Sequence, residues 1–284
     1  MAPASTPTPR AVTRGVARLA AAVRRARRPN NRTVVLCYHS IGQGDSPLSL
    51  PTAVFRAQVE LLAEAGFDFV TFGTLVDALA AGSLPTRPTA VLTFDDGFAD
   101  MHGVVWPTLH ELGMPATCFV TTGLMEGEPS ALARFAESAQ GSSFRFMAPA
   151  QVTELAETGC EIGAHTHTHP NLAHLGENGV IEELRRSRET LEDVTGAEVR
   201  VLAYPYGYYG LHYTDRTVQI ARDLGFSGAA AVANRGVGRR DRSRTFRLPR
   251  FTPSQEDPAW FERRMLGDLD WVCWIRARMH QGRQ

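Results

Sequence analysis

A chain of 284 residues with 43% hydrophobic content has room for one large α/β domain or two small ones. All 30 basic side chains are Arg, and the absence of lysine excludes Schiff-base chemistry, P-loop phosphate binding and lysine general bases. The formal charge of zero hides an asymmetry: residues 1–32 carry eight Arg and no acid, which leaves 22 Arg against 30 acids downstream, a net of −8.

No stretch reaches the roughly 18 apolar residues of a membrane span. Residues 11–23, the best signal-peptide candidate, are interrupted by Arg14 and Arg18, so a cytoplasmic protein is expected and secretion is disfavoured. Cys37, Cys118, Cys160 and Cys273 lack metal-type spacing and read as buried thiols in a reducing compartment. An acidic body with its basic residues gathered in one tail gives no support to nucleic-acid binding.

Residues 1–9 have the composition of a disordered end. In residues 10–28, Val12, Val16, Leu19, Ala20 and Val23 fall at helical spacing among seven Arg. The segment reads first as a solvated tail, with a basic amphipathic helix on an anionic membrane surface as the alternative. The body begins at residues 33–39, a β-branched run that ends in His39. A helix over residues 52–65 follows, with Thr52 as its N-cap and Gly66 as its stop. Residues 67–72 then read as a strand and 75–81 as a helix.

Strand patterns recur at residues 89–94, 116–121, 160–165, 199–204, 226–232 and 246–251. Helical patterns lie between several of them, at residues 100–112, 150–158, 181–194, 214–224 and 258–266. Eight strands alternating with helices predict a closed parallel β/α barrel with function at the C-terminal strand ends; an open doubly wound sheet is the second choice. Gly66, Gly113, Gly159 and Gly225 each follow a helix and supply its left-handed C′ position. Residues 123–147 read as a long irregular insertion that could roof a cleft.

Three stretches carry chemistry. In residues 91–100 an apolar run breaks into Asp95-Asp96-Gly97. Adjacent carboxylates coexist only with a cation, a shared proton or open water, although Asp-Gly is also a common turn signal. His165, His167 and His169 leave a strand together and precede Pro170, a density that favours a metal site over structural histidines. His165 and His169 share a face in either secondary structure, while His167 joins them only in a strand. Tyr204-Pro205-Tyr206-Gly207 is a bent aromatic turn, able to aim a backbone N–H at an oxyanion or simply to close a loop.

In this order, Thr93-Phe-Asp-Asp-Gly97, His165-Thr-x-x-His169 and Tyr204-Pro-Tyr-Gly207 resemble the polysaccharide deacetylases with the NodB homology domain, carbohydrate esterase family four. The opening Leu36-Cys-Tyr-His-Ser-Ile41, the helix over 55–66 and Gly225-Phe-Ser-Gly-Ala229 look like the subgroup that deacetylates exported poly-N-acetylglucosamine. The resemblance covers about residues 33–252. It implies a distorted (β/α)7-8 barrel as a single catalytic domain over residues 33–284, preceded by the basic segment 1–32.

The resemblance further implies a divalent metal, Zn²⁺ first with Co²⁺ or Ni²⁺ as alternatives, held by Asp96, His165 and His169. Asp95 would be the general base and the Tyr206 backbone N–H part of an oxyanion hole, and His167 stays outside the ligand set. The implied substrate is an N-acetylated glycan or glycoconjugate, and Tyr206, Tyr208, Tyr209 and Phe98 add a weak preference for a sugar. A non-sugar amide hydrolase and an inactive carbohydrate-binding homologue are the rival readings.

The chain departs from the family in two places. Ala203 stands where many members carry the Arg that orients the base, and no C-terminal Leu-x-His supplies a general acid. Arg250, at the end of the last strand, is proposed for the first role. His39, at the end of the first strand, is proposed for the second, with His280 as a weaker substitute, because first and last strands are neighbours in a closed barrel.

Overall fold

The computed structural model describes residues 31–44, 46–138 and 144–268. The basic segment 10–28, Cys273 and His280 lie outside the described residues. The described residues form ten strands: β1 (Thr33–Tyr38), β2 (Ser40–Ile41), β3 (Ser49–Leu50), β4 (Asp68–Phe69), β5 (Thr89–Phe94), β6 (Thr117–Val120), β7 (Glu161–Ala164), β8 (Val201–Ala203), β9 (Gly228–Val232) and β10 (Leu248–Arg250). All but β2 and β3, which pair with each other, belong to one sheet in the order β1-β5-β6-β7-β8-β9-β10.

Every pairing in the sheet is parallel. β4 takes the first half of one edge of β5, opposite Thr89 and Ala90, and β6 takes the second half, opposite Thr93 and Phe94. The ring closes just beyond β10. The Phe251 N–H donates to Val35 O at 2.8 Å and the Cys37 N–H donates to Phe251 O at 2.8 Å. Seven strands therefore circle the barrel with an eighth sharing an edge, and an open sheet is ruled out.

The two ends of the barrel differ. Helix Phe72–Ala80 plugs the end where the strands begin: the Phe72 N–H donates to Thr117 Oγ1 at 2.9 Å, and the Gly73 N–H meets the Glu161 carboxylate at 2.9 and 3.1 Å. Phe72, Leu75, Val76 and Leu79 of this helix join Val35, Val91, Phe119, Val201 and Leu248 in one buried cluster. A larger cluster packs the other helices onto the outside of the strands. With one end filled by side chains, only the C-terminal strand ends are left to form a cavity.

Several boundaries differ from those expected, each for a local reason. The helix over Thr52–Glu64 is capped by Pro51, not Thr52, and Pro51 makes no side-chain cap bond. The expected strand over 67–72 shrinks to β4 because the Thr71 side chain accepts from the Thr74 N–H and starts the plug helix early. The expected helix over 100–112 opens as a π-turn, Met101–Val105, before Trp106–Glu111. Pro107 has no N–H for the carbonyl four residues back, so a wider turn precedes it.

The described part of residues 123–147 is not irregular throughout: helices Thr122–Met125 and Pro129–Ser138 occupy much of it. Ala131 and Phe135, one turn apart, bury against Phe98 and Leu124 to form a satellite core. Gly66, Gly113, Gly159 and Gly225 all take positive φ, between 65° and 98°, as helix ends require. Cys37, Cys118 and Cys160 are buried free thiols.

Candidate active site

The open end holds a cavity of about 210 Å³ lined by Cys37, His39, Leu48, Asp95, Asp96, Phe135, His165, His169, Tyr204, Tyr206, Tyr208, Val232, Arg250 and Thr252. Each element delivers its residue at or just past a strand end: His39 follows β1, Asp95 and Asp96 follow β5, His165 follows β7, Tyr204 and Tyr206 follow β8, and Arg250 closes β10. All seven residues singled out from the sequence, His39, Asp95, Asp96, His165, His169, Tyr206 and Arg250, line this one cavity.

Asp96, His165 and His169 form a compact, buried trio. Asp96 Oδ1 lies 3.5 Å from His165 Nε2 and 3.4 Å from His169 Nε2, and it has no hydrogen-bond partner. A buried carboxylate oxygen facing two imidazole nitrogens without a hydrogen bond is costly unless a cation joins them. Two imidazoles and a carboxylate are an established donor set for a divalent first-row metal, so the residues fit such an ion. His165 Nδ1 lies 2.8 Å from Ala203 O, which requires a proton on Nδ1 and leaves Nε2 as the atom turned to Asp96. Burial would lower the His165 pKa, but Asp95 and Asp96 outweigh it and raise it, so a metal at Nε2 takes the place of a proton. Burial lowers the pKa of His169 to about 4, so its imidazole is neutral at neutral pH, as metal ligation requires.

Asp95 faces a different partner. Arg250 donates from both terminal nitrogens to its two oxygens at 2.7 Å, and donates to Thr93 Oγ1 at 3.1 Å. The Cys37 thiol donates to Asp95 Oδ2 at 3.3 Å. Burial alone would raise the Asp95 pKa, but Arg250, and after it His165, outweigh that cost and hold the carboxyl well below the usual carboxylate range. Asp96 is lowered too: His165 and His169 outweigh the burial that would raise it. The adjacent aspartates thus avoid a shared proton: Asp95 is paired with Arg250, with His165 Nε2 3.9 Å away, and Asp96 faces His165 and His169.

Holding them so strains the chain. Among the described residues six non-glycine residues have positive φ, and four of them belong to this site: Asp96 at 72°, Thr166 at 65°, His169 at 56° and Tyr206 at 60°. The other two are asparagines, which tolerate this region. Strain of order 1–3 kcal/mol per residue, gathered where side chains converge, marks a constellation fixed for chemistry.

His167 points away from the trio. Its Nε2 lies 2.6 Å from Glu128 Oε2 and its Nδ1 2.8 Å from Thr122 Oγ1, so both ring nitrogens are already bonded. Phe98, expected near a sugar, is instead buried in the satellite core and stacked on Phe146. Tyr206, Tyr208 and Tyr209 remain exposed, at 38%, 49% and 51%. The wall also holds Cys37, read from the sequence only as a buried thiol in a strand, and Phe135, whose ring lies 6.1 Å from that of His169. Only the barrel geometry brings them to the site.

Residues 83–229, just over half the chain, match the family model described as polysaccharide deacetylase. The chain is 27% identical over 192 residues to the putative polysaccharide deacetylase YxkH of Bacillus subtilis (strain 168), covering 68% of this chain and 61% of that protein. It is 23% identical over 192 residues to the poly-beta-1,6-N-acetyl-D-glucosamine N-deacetylase of Staphylococcus aureus (strain MRSA252), covering 64% and 62%. The matched region thus spans about three fifths of the length of these curated relatives.

Two solved structures share the fold. The deacetylase PplD of Streptococcus pyogenes, in complex with acetate, superposes with a TM-score of 0.68 at 22% identity, over 82% of this chain and 98% of that one. IcaB from Ammonifex degensii superposes with a TM-score of 0.66 at 24% identity, over 83% and 97%.

Proposed function

Because the chain belongs to the polysaccharide deacetylase family, we propose that it is a metal-dependent hydrolase that removes N-acetyl groups from N-acetylglucosamine units of a glycan or glycoconjugate. The observation that carries the reading is the split between the two aspartates. Asp96 turns an unbonded oxygen towards two histidines, while Asp95 is kept ionised beside it by Arg250.

Asp96, His165 and His169 would hold the ion, with Zn²⁺ the best match to a two-imidazole, one-carboxylate set. When bound, such an ion acidifies a water and polarises the acetamide carbonyl. Asp95 is the general base in this scheme: it stays ionised throughout the working pH range and accepts the proton of the attacking water. Its depressed pKa makes it a weak base in bulk terms, which suits a water already acidified and would fail with an ordinary one.

The Tyr206 backbone N–H, aimed by the strained turn after β8, contributes to stabilising the developing oxyanion. His39 lines the cavity within the group formed with Cys37 and Asp95, and protonates the departing amine. Arg250 does not touch substrate: it positions Asp95 and fixes its charge, from β10 instead of position 203. The exposed ring of Tyr208 at the cavity rim supports a sugar over a small amide. The Arg250–Asp95 clamp argues against an inactive binder, which has no use for an ionised base beside a metal.

Acetate release from N-acetylglucosamine oligomers, measured on the metal-loaded protein, after chelation and after Zn²⁺ is restored, tests the reading. Release that chelator abolishes and Zn²⁺ restores is expected. A protein that holds one equivalent of metal yet releases no acetate from any N-acetyl sugar overturns it.

A further inference from the structure

Residues 166–168, between the two proposed histidine ligands, are held by two helices. The first is the short helix Thr122–Met125. Its Thr122 N–H donates to Thr166 O at 3.3 Å and its Gly123 N–H to His167 O at 2.8 Å. A Cβ on Gly123 would stand 2.7 Å from that carbonyl, so only glycine lets the two chains approach this closely. The His167 ring bonds to the same region, through Thr122 and Glu128.

The second hold is a single carboxylate. Glu183 belongs to the long helix Glu177–Thr195, which packs on β7. Its Oε2 accepts from the His167 N–H at 2.9 Å and from the Thr168 N–H at 2.8 Å, and its Oε1 accepts from Thr168 Oγ1 at 2.6 Å. Two consecutive N–H groups converging on one oxygen form an anion-binding concavity, filled in this loop by a side chain of the protein itself. All three bonds fall on residues between His165 and His169, and none on a proposed ligand. The loop needs such a hold, because Thr166 and His169 have φ of 65° and 56°, a region that side-chain-bearing residues avoid.

We propose that Glu183 is a positioning residue of the metal site: by holding the backbone between His165 and His169 it keeps both Nε2 atoms turned to Asp96 in advance of an ion. The inference rests on the reading of Asp96, His165 and His169 as the ligands. Groups that orient metal ligands without touching the ion govern affinity, because a preformed set needs no rearrangement on binding. Reach, not charge, is what Glu183 supplies. A glutamine amide meets the same partners, its oxygen accepting from both N–H groups and its NH₂ donating to Thr168 Oγ1. An aspartate keeps the charge but is one methylene too short for the loop.

The Zn²⁺ affinity of the full chain, measured by competition with a chelating indicator and set beside the thermal midpoint of each variant, tests this. Glu183→Asp and Glu183→Met should each lower the affinity by about 10–100-fold. Glu183→Gln should stay within about threefold of wild type. Should the Met variant fail to fold, the Asp and Gln variants decide alone. A Gln variant weakened as much as the Asp variant, or more, overturns the proposal, since charge and not reach then sets the affinity. An Asp variant that binds as tightly as wild type, whatever its thermal midpoint, also overturns it. Either result leaves the metal reading standing, whereas a wild-type protein that binds no Zn²⁺ overturns that reading and this proposal with it.

Discussion

Arg250 holds both oxygens of Asp95 at 2.7 Å across 155 residues of sequence, and both side chains are almost fully buried. The pair links the last strand to the stretch that carries the candidate base. Replacing Arg250 with Met leaves a buried carboxylate without its cation, which costs about 3–5 kcal/mol of stability, readable in urea unfolding. Burial then raises the Asp95 pKa, so less of the base is ionised at a given acidic pH. The acid limb of kcat/KM should move to higher pH by about one unit or more. Arg250→Lys restores charge but not the two-pronged contact, so it should recover only part of both effects. An acid limb that stays in place in the Met variant shows that Arg250 has no part in setting the base.

The two aspartates should fail differently. Asp96→Asn and His169→Ala remove proposed ligands, and each should lower Zn²⁺ affinity beyond the roughly 10–100-fold that loss of an outer-shell partner costs. Asp95→Asn should keep its metal and lose acetate release by about 10²–10⁴-fold. Metal content after dialysis, measured beside activity, separates these outcomes. An Asp95→Asn protein that loses its metal would make Asp95 a ligand and undo the division of roles.

His39 is the least conventional assignment, since it leaves the first strand. If it protonates the departing amine, His39→Gln should cost about 10²–10⁴-fold in kcat. Metal binding should not change. Deacetylation at the wild-type rate by His39→Gln protein with bound metal removes His39 from the reaction.

Much of the architecture was legible in advance because strand and helix periods alternate cleanly and several helices are followed by a glycine. The strand at Thr89–Phe94 and the helix at Pro258–Leu266 have the expected bounds. The failures have a common cause, which is that tertiary contact decides them. The 129–138 helix carries only Ala131 and Phe135 as a buried face, too sparse a pattern to read without the Phe98 cluster it covers. Phe98 itself sits beside the aspartates in sequence, yet its ring turns into that cluster. Spacing alone left His167 undecided, since Thr122 and Glu128, which occupy its ring nitrogens, lie about 40 residues away. Cys37, one residue in an ordinary strand pattern, comes within 3.3 Å of Asp95 only because β1 and β5 pair in register.

Asp100 offers a test of stability that leaves the metal trio untouched. It is buried four residues beyond Asp96, where Ser40 Oγ and Gln43 Nε2 donate to its Oδ2 at 2.6 and 2.7 Å while its Oδ1 has no partner. Burial raises its pKa, and the bonds from Ser40, Gln43 and the Ile41 N–H only partly offset this. A carboxyl whose pKa is higher folded than unfolded binds more protons in the folded state between those two values. Stability therefore falls as pH rises through that window, and the cost persists at neutral pH. Asp100→Asn keeps an oxygen for Ser40 and Gln43, exchanges one unpaired atom for another, and cannot ionise. The thermal midpoint of Asp100→Asn minus that of wild type should accordingly increase as pH rises above the ordinary carboxylate range, and then level off. Asp100→Ala also loses both bonds, and should be less stable than Asp100→Asn at every pH by about 1–3 kcal/mol. A midpoint difference for Asp100→Asn that shrinks as pH rises would mean that the folded protein prefers the carboxylate, held by its three donors, over the acid.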